Sequence, residues 1–358
     1  MNNNNYSARL NLAMIKLHEQ LFNAKGVLKS EFSDYITCPV CFRDKHQEYA
    51  IKDKFTYSKC CSCEMVYMNP RLNKAATLSF YNSNVNEIYN EKKFHDVPDG
   101  TSADDKINYQ NLHLIVKQIG GVSKTEKPLN GKRILEIGCA KGYFLKCAKE
   151  LGADVYGIEL NAPNIAIARK FLGDNIYSQD IFELNLPSES FDVIYTRDVI
   201  EHISEPLPFL KELSRIMKPG ALIFTETHNI DSLIHRIVKG KHTCIFGFEH
   251  PVHWSPKTLS TALKKSGIQS KEVIFESLDF RIMDIINYFR QSTFTTIFPW
   301  QASKQLDFFL KLISIPFRIP GIRNLDKLLL PPLANYLAAG STMKMIAFKI
   351  QTAKSDTK

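Results

Sequence analysis

From Lys132 onward, short apolar runs alternate with segments of helical periodicity. This alternation is typical of a parallel sheet whose two faces are covered by helices. It predicts strands at 133–138, 154–159, 175–179, 191–196, 221–227, 271–277 and 342–350, with helices near 142–152, 162–172, 205–217 and 256–267. We therefore expect an α/β fold built on a Rossmann-like, seven-stranded, doubly wound sheet.

The first predicted strand ends in a small-residue turn, EIGCAKG, which contains Glu136, Gly138, Ala140 and Gly142. Glycine lets a ligand approach the backbone closely, and the helix that follows offers unpaired N–H groups at its amino end. Since strand, turn and helix are common to several nucleoside cofactor sites, the turn by itself also fits a nicotinamide dinucleotide.

Two acidic residues narrow this choice. Glu159 ends the second predicted strand, where a carboxylate can accept hydrogen bonds from both hydroxyls of a ribose. Asp180 follows the third predicted strand, where a carboxylate can accept a hydrogen bond from the amino group of adenine. Both lie at the carboxyl ends of strands, the edge at which open α/β sheets bind ligands.

The order of motifs E-x-G-x-x-x-G, GIE, QD, FDVI, EHI-x-EP and LKELSRIMKPGALIF resembles that of class I S-adenosylmethionine (SAM)-dependent methyltransferases, from Arg133 to Ile274. The resemblance implies that Glu136, Gly138 and Gly142 line the methionine part of SAM. It also implies that Glu159 binds the ribose, and that Asp180 and Ile181 bind the adenine. Ala140 departs from the family, which usually has a glycine there.

The chain also contains two closely spaced cysteine pairs, Cys38-x-x-Cys41 and Cys60-x-x-Cys63, with eighteen residues between them. This spacing predicts four thiolate ligands around one structural Zn²⁺. The sequence around the two cysteine pairs resembles a zinc-ribbon leader found ahead of many bacterial methyltransferases. Glu64 departs from that pattern, because such knuckles more often carry glycine at this position.

Candidate catalytic residues follow the fourth predicted strand, where Asp198, Glu201 and His202 form D-x-x-E-H. The sequence resembles the metal motif of small-RNA 2′-O-methyltransferases and the related cluster of ubiquinone-pathway O-methyltransferases. The resemblance implies either a second divalent ion at Asp198, Glu201, His202 and His253, or His202 acting as a general base. The alternative is that Glu201 and His202 only cap the next helix.

The predicted organisation is an N-terminal helix and zinc module at 1–70, a helical linker region at 71–130 and the methyltransferase domain at 131–358. Before the last strand, an insertion at 279–340 is rich in aromatic residues interleaved with Arg and Lys. We expect this insertion to form a helical lid, or a surface that touches a membrane.

Charge and composition restrict the partners without naming one. The formal net charge of +9 would suit an acidic partner, but no clustered basic stripe is present. A secretory leader is not recognisable and no run of eighteen apolar residues occurs, so we expect a cytoplasmic protein. O-methyl transfer to a small-molecule, glycan or lipid-linked acceptor is favoured. An RNA methyltransferase and a non-catalytic SAM-binding subunit are the alternatives.

Overall fold

The computed structural model describes residues 3–81, 83–85, 88, 102–120, 127–232, 235–236, 247–276 and 341–350. The insertion predicted at 279–340 lies outside the described residues. Across the described ranges, no helix is both long enough and apolar enough to cross a membrane.

In the N-terminal third, the described residues form a helix, then short strands and two further helices. In chain order these are α1 (Asn3–Leu21), β1 (Ser33–Asp34), β2 (His46–Lys52), β3 (Phe55–Cys60), β4 (Val66–Met68), β5 (Arg71–Leu72), α2 (Lys74–Tyr81) and α3 (Ser102–Ile119). The strands β2, β3 and β4 pair antiparallel, while β1 and β5 form a separate two-stranded ribbon.

The remaining elements build the predicted α/β unit. They are β6 (Arg133–Ile137), α4 (Tyr143–Glu150), β7 (Asp154–Ile158), α5 (Ala162–Leu172), β8 (Ile176–Tyr177), β9 (Phe191–Arg197), α6 (Pro206–Ile216), β10 (Met217–His228), β11 (Val252–His253), α7 (Pro256–Lys265), β12 (Ile268–Glu276) and β13 (Thr342–Lys349).

Seven of these strands form one sheet in the order β12-β13-β10-β9-β6-β7-β8. The strands from β10 to β8 run parallel, whereas β13 is antiparallel to both of its neighbours. The expected Rossmann-like seven-stranded sheet is therefore confirmed. The chain order reverses between β6 and β9, and crevices at such switch points are where ligands of open α/β sheets bind.

Helices cover both faces of this sheet and enclose two apolar cores. The helices α3, α4 and α5 pack on one face through residues such as Leu112, Leu145 and Ala168. On the other face, α6 and α7 pack through Leu213 and Leu259. Because each helix buries one apolar side against the sheet, the carboxyl edge of the strands remains as the position for a ligand.

Local sequence fixes where the helices begin. The Asn161 side chain accepts a hydrogen bond from the Asn164 N–H at 3.1 Å, which caps α5. Ser255 and Thr258 form a reciprocal capping box at the start of α7. Such caps satisfy N–H groups that have no partner within the helix, and each is worth about 1 kcal/mol.

The N-terminal region and the α/β unit share a sheet. The strand β11, which comes from the α/β unit, pairs with β4 and extends the N-terminal sheet to the order β11-β4-β3-β2. In this pairing Val252 lies opposite Tyr67, and His253 lies opposite Val66. The sequence did not reveal this connection, since its two partners are far apart along the chain.

Candidate functional site

The turn after β6 has a backbone that requires glycine at two positions. Gly138 has φ of +70°, and a Cβ there would lie 2.7 Å from Val199 Cγ2. Gly142 has φ of +75°, and a Cβ there would lie 2.7 Å from Leu172 Cδ1. Both residues combine a left-handed conformation with close contact, so any larger residue would displace the turn.

Ala140, between these glycines, also adopts a left-handed conformation, with φ of +46°. For a residue with a Cβ this conformation costs about 1 kcal/mol or more. The Ala140 N–H donates to Glu159 Oε2 at 2.9 Å, and the Asn161 N–H donates to Glu159 Oε1 at 2.7 Å. The Glu159 carboxylate therefore ties the turn to the end of β7 and is held in a fixed position.

Glu136 lies beneath the turn as a buried carboxylate. Its Oε2 atom has no hydrogen-bond partner among the described residues. Burial raises its pKa well above the usual value and Glu159 adds to the rise, while Arg197 opposes it. A cationic ligand group at this place would give Oε2 the donor that it lacks. The site thus fits the amino group of the methionine part of SAM.

The region assigned to the adenine lies after β8. The Asp180 side chain is exposed, and its Oδ1 accepts a hydrogen bond from the Phe182 N–H at 3.0 Å. Ile181 is buried in the core. Two apolar side chains next to the acidic residues are exposed, Leu160 by 65% and Phe182 by 52%. The sequence alone did not single out either side chain, although Leu160 directly follows Glu159 and Phe182 lies two residues after Asp180.

Glu201, His202 and His250 come together beside this edge. One ligand atom from each lies within 4.8 Å of the others, a geometry that could hold a metal ion. The His202 Nδ1 atom lies 3.0 Å from the Glu249 carbonyl oxygen. If Nδ1 donates to that carbonyl, Nε2 is the acceptor nitrogen and can bind a metal or accept a proton.

Glu201 is held by neighbours on β10. The Thr227 hydroxyl donates to Glu201 Oε2 at 2.9 Å, and His228 Nδ1 lies 3.6 Å from Glu201 Oε1. Burial favours a higher pKa for Glu201, but the hydrogen bond and charge of His228, together with His202 and His250, lower it to about 2. Glu201 is therefore an anion, as a metal ligand must be.

The structure revises the predicted metal set in which His253 took part. His253 lies on β11, and its Nδ1 is 2.7 Å from His228 Nε2. It therefore contacts Glu201 through His228, and His250 takes the place beside His202. The sequence did not single out His228, because it stands at the end of an apolar strand. In the structure, His228 links His253 to the Glu201 carboxylate.

Asp198 is not a member of the Glu201, His202 and His250 group. Its backbone is in the left-handed region, with φ of +52°, and 65% of its side chain is exposed. The surrounding protein and the nearby Glu201 raise its pKa to about 6. The alternative that Glu201 and His202 cap the next helix is wrong, because they form a 3₁₀ turn at Ile200–His202 and α6 begins at Pro206.

The four predicted zinc ligands converge. The sulfur atoms of Cys38, Cys41, Cys60 and Cys63 all lie within 4.8 Å of one another. The Cys38–Cys63 and Cys41–Cys60 sulfur distances are both 3.4 Å. Four thiolates around a zinc ion at 2.3 Å stand roughly 3.8 Å apart. The site therefore fits a tetrahedral metal ion with all four ligands supplied by the protein.

The two cysteine knuckles have the same backbone. In the first, the Phe42 N–H donates to the Cys38 carbonyl, and in the second the Glu64 N–H donates to the Cys60 carbonyl. Phe42 and Glu64 both have positive φ, at 59° and 68°. The departure noted at Glu64 thus lies at a position that favours glycine, and its carboxylate forms an ion pair with Lys257 on α7.

The N-terminal sheet contacts the histidine segment directly. The Tyr57 hydroxyl donates to the His250 carbonyl at 3.2 Å, and the Met68 N–H donates to the Pro251 carbonyl at 2.8 Å. Arg71 donates to the Ser204 carbonyl at 2.9 Å, just after His202. A cleft lies between these parts and is lined by Met68, Leu72, Thr77, His202, Ser204, Gly247, Phe248, Glu249 and Pro251.

Several known proteins resemble part of this chain. A family model described as "Methyltransferase domain" matches residues 106–272. The ubiquinone biosynthesis O-methyltransferase of Sinorhizobium fredii is 27% identical over 198 residues, which cover 54% of this chain and 76% of that protein. The protein of the same name from Brucella ovis is 30% identical over 163 residues, which cover 44% of this chain and 63% of that protein.

Among solved structures, a SAM-dependent methyltransferase from Archaeoglobus fulgidus aligns with a TM-score of 0.42 and 20% identity, over 68% of this chain and 94% of that chain. Residues 106–272 match the model of a methyltransferase domain. This match and the curated relatives support an enzyme of SAM-dependent methylation, as the sequence predicts.

Proposed function

We propose that this chain transfers the methyl group of SAM to a hydroxyl oxygen of a small-molecule acceptor. The proposal depends chiefly on the group formed by Glu201, His202 and His250, which lies at the same sheet edge as the cofactor turn. The name of both reported relatives, ubiquinone biosynthesis O-methyltransferase, supports an oxygen acceptor. A hydroxyl of a glycan or of a lipid-linked acceptor would be methylated by the same reaction.

In this proposal the cofactor residues have the roles that the resemblance in sequence implies. The Glu159 carboxylate, already oriented by two backbone N–H groups, would accept the ribose hydroxyls. Asp180 would accept the adenine amino group, with the exposed side chains of Leu160 and Phe182 flanking the ring. Glu136 would accept the amino group of the methionine part. Acidic side chains would thus accept hydrogen bonds from the hydroxyl and amino groups of SAM, and apolar side chains would contact its adenine ring.

Methyl transfer to a hydroxyl needs alignment and the removal of one proton. We propose that His202 Nε2 accepts the proton that the hydroxyl loses as its oxygen takes the methyl group. The Glu249 carbonyl holds the His202 ring for this role. In the alternative version, Glu201, His202 and His250 would hold a divalent ion, which would lower the pKa of the hydroxyl so that its proton passes to solvent, and His202 Nε2 would then be a ligand instead of the base.

We further propose that the four cysteines hold a structural Zn²⁺ ion. Four protein ligands leave no position open for a substrate. The contact with Cys38 lowers the pKa of Cys63 to about 5, so a thiolate is available at neutral pH. Thiols of this kind need a reducing compartment, which supports the expected cytoplasmic location.

Calorimetry with SAM, followed by transfer of radiolabelled methyl groups to a panel of phenols, catechols and sugars, tests the proposal. Glu159→Ala should weaken SAM binding by about a hundredfold or more, since two charged hydrogen bonds worth about 1.5–3 kcal/mol each are lost. Asp180→Ala should weaken it less, since one donor loses its acceptor. Binding of a nicotinamide dinucleotide in place of SAM would contradict the proposal.

The role of the divalent ion is tested separately. If the ion takes part, chelator should abolish turnover, Mg²⁺, Mn²⁺ or Co²⁺ should restore it, and Glu201→Gln should reduce it as strongly as His202→Ala. If His202 acts without an ion, chelator should have no effect and only His202→Ala should matter. Zinc content is measured in the same samples, so that loss of the cysteine-bound ion is recognised. Wild-type turnover by His202→Ala would exclude both versions.

A further inference from the structure

The carboxylate of Glu201 is buried and is held from two sides. Only 3% of the Glu201 residue is exposed. The Thr227 hydroxyl donates to Oε2 at 2.9 Å, and the Nδ1 atom of His228 lies 3.6 Å from Oε1. A buried carboxylate depends on donors from the protein, because its oxygens cannot turn to bulk water instead. His228 is therefore placed to orient Oε1, as Thr227 orients Oε2.

The other ring nitrogen of His228 contacts a second histidine. The Nε2 atom of His228 lies 2.7 Å from Nδ1 of His253, which is a hydrogen-bond distance. A hydrogen bond between two ring nitrogens uses one proton, so one nitrogen donates and the other accepts. Because the Glu201 carboxylate can only accept, the proton of His228 is favoured on Nδ1. The Nε2 atom then accepts, and the Nδ1–H of His253 is the donor.

The N-terminal sheet fixes the orientation of His253. This residue is fully buried on β11, and its backbone pairs with that of Val66 on β4. The Tyr57 ring, from β3, lies 5.0 Å from the His253 ring. The strand β4 begins three positions after Cys63, so it directly follows the second cysteine knuckle. The part of the chain that carries the four cysteines therefore determines where the donor to His228 lies.

His228 also contacts a second member of the group formed by Glu201, His202 and His250. The His228 and His250 rings are stacked, with their centroids 5.4 Å apart and an angle of 26° between their planes. The His250 ring in turn lies edge-on to the His202 ring at 4.7 Å. One buried side chain thus contacts two of the three residues that could hold a metal ion.

We propose that His228 is a positioning residue that orients Glu201 for binding of a divalent ion, and that His253 fixes the ring of His228 for this role. A side chain that holds a ligand in the direction of its ion typically changes metal affinity roughly 10–100-fold when it is replaced. The inference rests on the version of the proposed function in which Glu201, His202 and His250 hold the ion. His228 itself binds neither the ion nor SAM.

Two amide side chains at position 228 separate the two ends of the ring. The amide nitrogen of Asn is bonded to Cγ, as Nδ1 of histidine is, whereas the amide group of Gln lies one atom further out, near the place of Nε2. His228→Asn therefore keeps a donor toward Glu201, and His228→Gln keeps only a partner for His253. Both variants remove the ring, so each is the matched control for the other. Mn²⁺ is the probe ion, because it favours carboxylate over thiolate ligands and leaves Zn²⁺ on the cysteines.

Calorimetry on the full, zinc-loaded chain measures Mn²⁺ and SAM affinity. His228→Gln should bind Mn²⁺ roughly 10–100-fold more weakly than the wild type. His228→Asn should stay within about threefold of the wild type, because it keeps the donor to the Glu201 carboxylate. SAM affinity should change less than about twofold in both variants, since the cofactor turn is a separate set of contacts. The melting temperatures of both variants should fall by similar amounts, because both lose the same ring.

The proton on the His228 ring is measured directly in the wild type. Magnetic resonance spectra that correlate ring protons with ring nitrogens distinguish a protonated nitrogen from an unprotonated one. The His228 signals, assigned through their bonds to the backbone, should show a proton on Nδ1. This measurement needs neither variant, so it tests the proposal even if one of them does not fold.

A proton carried by Nε2 of His228 alone would overturn the proposal, because the ring would then present no donor to Glu201. An Mn²⁺ affinity of His228→Asn no higher than that of His228→Gln would also overturn it, since the ring would then only fill space. A wild type that binds SAM but not Mn²⁺ would instead contradict the divalent ion of the proposed function, and one that binds neither would contradict that function as a whole. These results are therefore distinguishable from a failure of His228.

Discussion

Removing a single hydroxyl from the N-terminal sheet should reduce catalysis without weakening the cofactor. The Tyr57 hydroxyl donates to the carbonyl of His250, and the ring lies 5.0 Å from that of His253. Tyr57→Phe leaves this carbonyl without its donor, at a cost of about 1–2 kcal/mol. The cost corresponds to a lower melting temperature by roughly 2–6 °C. The His250 segment should then lose its fixed position beside His202.

The assay compares thermal melting, SAM affinity and turnover of Tyr57→Phe with those of Tyr67→Phe. Tyr67 is a matched control because it is equally buried in the same sheet, and its hydroxyl has no hydrogen-bond partner among the described residues. Tyr67→Phe should be neutral or stabilising. SAM affinity should stay within about twofold in both variants, since the cofactor turn belongs to other strands. Equal loss of stability and turnover in the two variants would refute the reasoning.

Two further pairs of variants follow from the same geometry. Gly138→Ala should destabilise the protein by about 1–3 kcal/mol and abolish SAM binding, whereas Ala140→Gly should keep binding and change stability by less than about 1 kcal/mol in thermal melts. Cys63→Ser should lose the zinc measured by elemental analysis and expose the N-terminal module to protease, whereas Cys61→Ser should retain both the zinc and protease resistance. Zinc retained by Cys63→Ser would contradict the four-cysteine site.

The strands could be predicted because a strand that is buried on both faces of the sheet appears in the sequence as a run of apolar residues. The sheet itself, the glycine turn and the four cysteines followed from residue type and spacing within short segments. The identity of the second histidine near Glu201 and His202 could not be predicted, because His250 and His253 stand only three positions apart in the sequence. The choice between them depends on the pairing of His253 with Val66, a contact between distant parts of the chain. Sequence periodicity carries no information about such a contact.

The same limit applies to His228. In the sequence it is a polar residue that ends an apolar strand, the usual place for a solvated side chain. Only the structure shows that its two ring nitrogens lie beside Glu201 and His253. Residues whose roles depend on contacts between distant strands are therefore found from the structure, whereas residues in a contiguous turn can be found from the sequence.

Two carboxylates of the cofactor site should respond to the same substitution with opposite signs. Glu136 is buried and its Oε2 has no partner among the described residues, whereas Glu159 accepts two backbone hydrogen bonds. Without ligand, Glu136→Gln should raise stability by about 1–3 kcal/mol at neutral pH, because the folded wild type must either bury an unpaired charge or hold a proton that the unfolded chain releases. Glu159→Gln should lower stability, because one of its two charged acceptor oxygens becomes an amide nitrogen. Both variants should bind SAM more weakly.

The difference in stability between Glu136→Gln and the wild type should increase as the pH rises. Burial raises the pKa of Glu136 in the folded protein, so the folded state holds its proton at pH values where the unfolded chain releases it. Ligand-free wild type should therefore lose stability relative to Glu136→Gln as the pH rises from about 4.3, the pKa in an unfolded chain, toward the raised folded value. Melting curves measure this difference. They are recorded for both proteins between pH 4 and pH 8 at one ionic strength. A gap between the melting temperatures that stayed constant or narrowed with rising pH would show that Glu136 is already paired, and SAM would then lose its proposed acceptor.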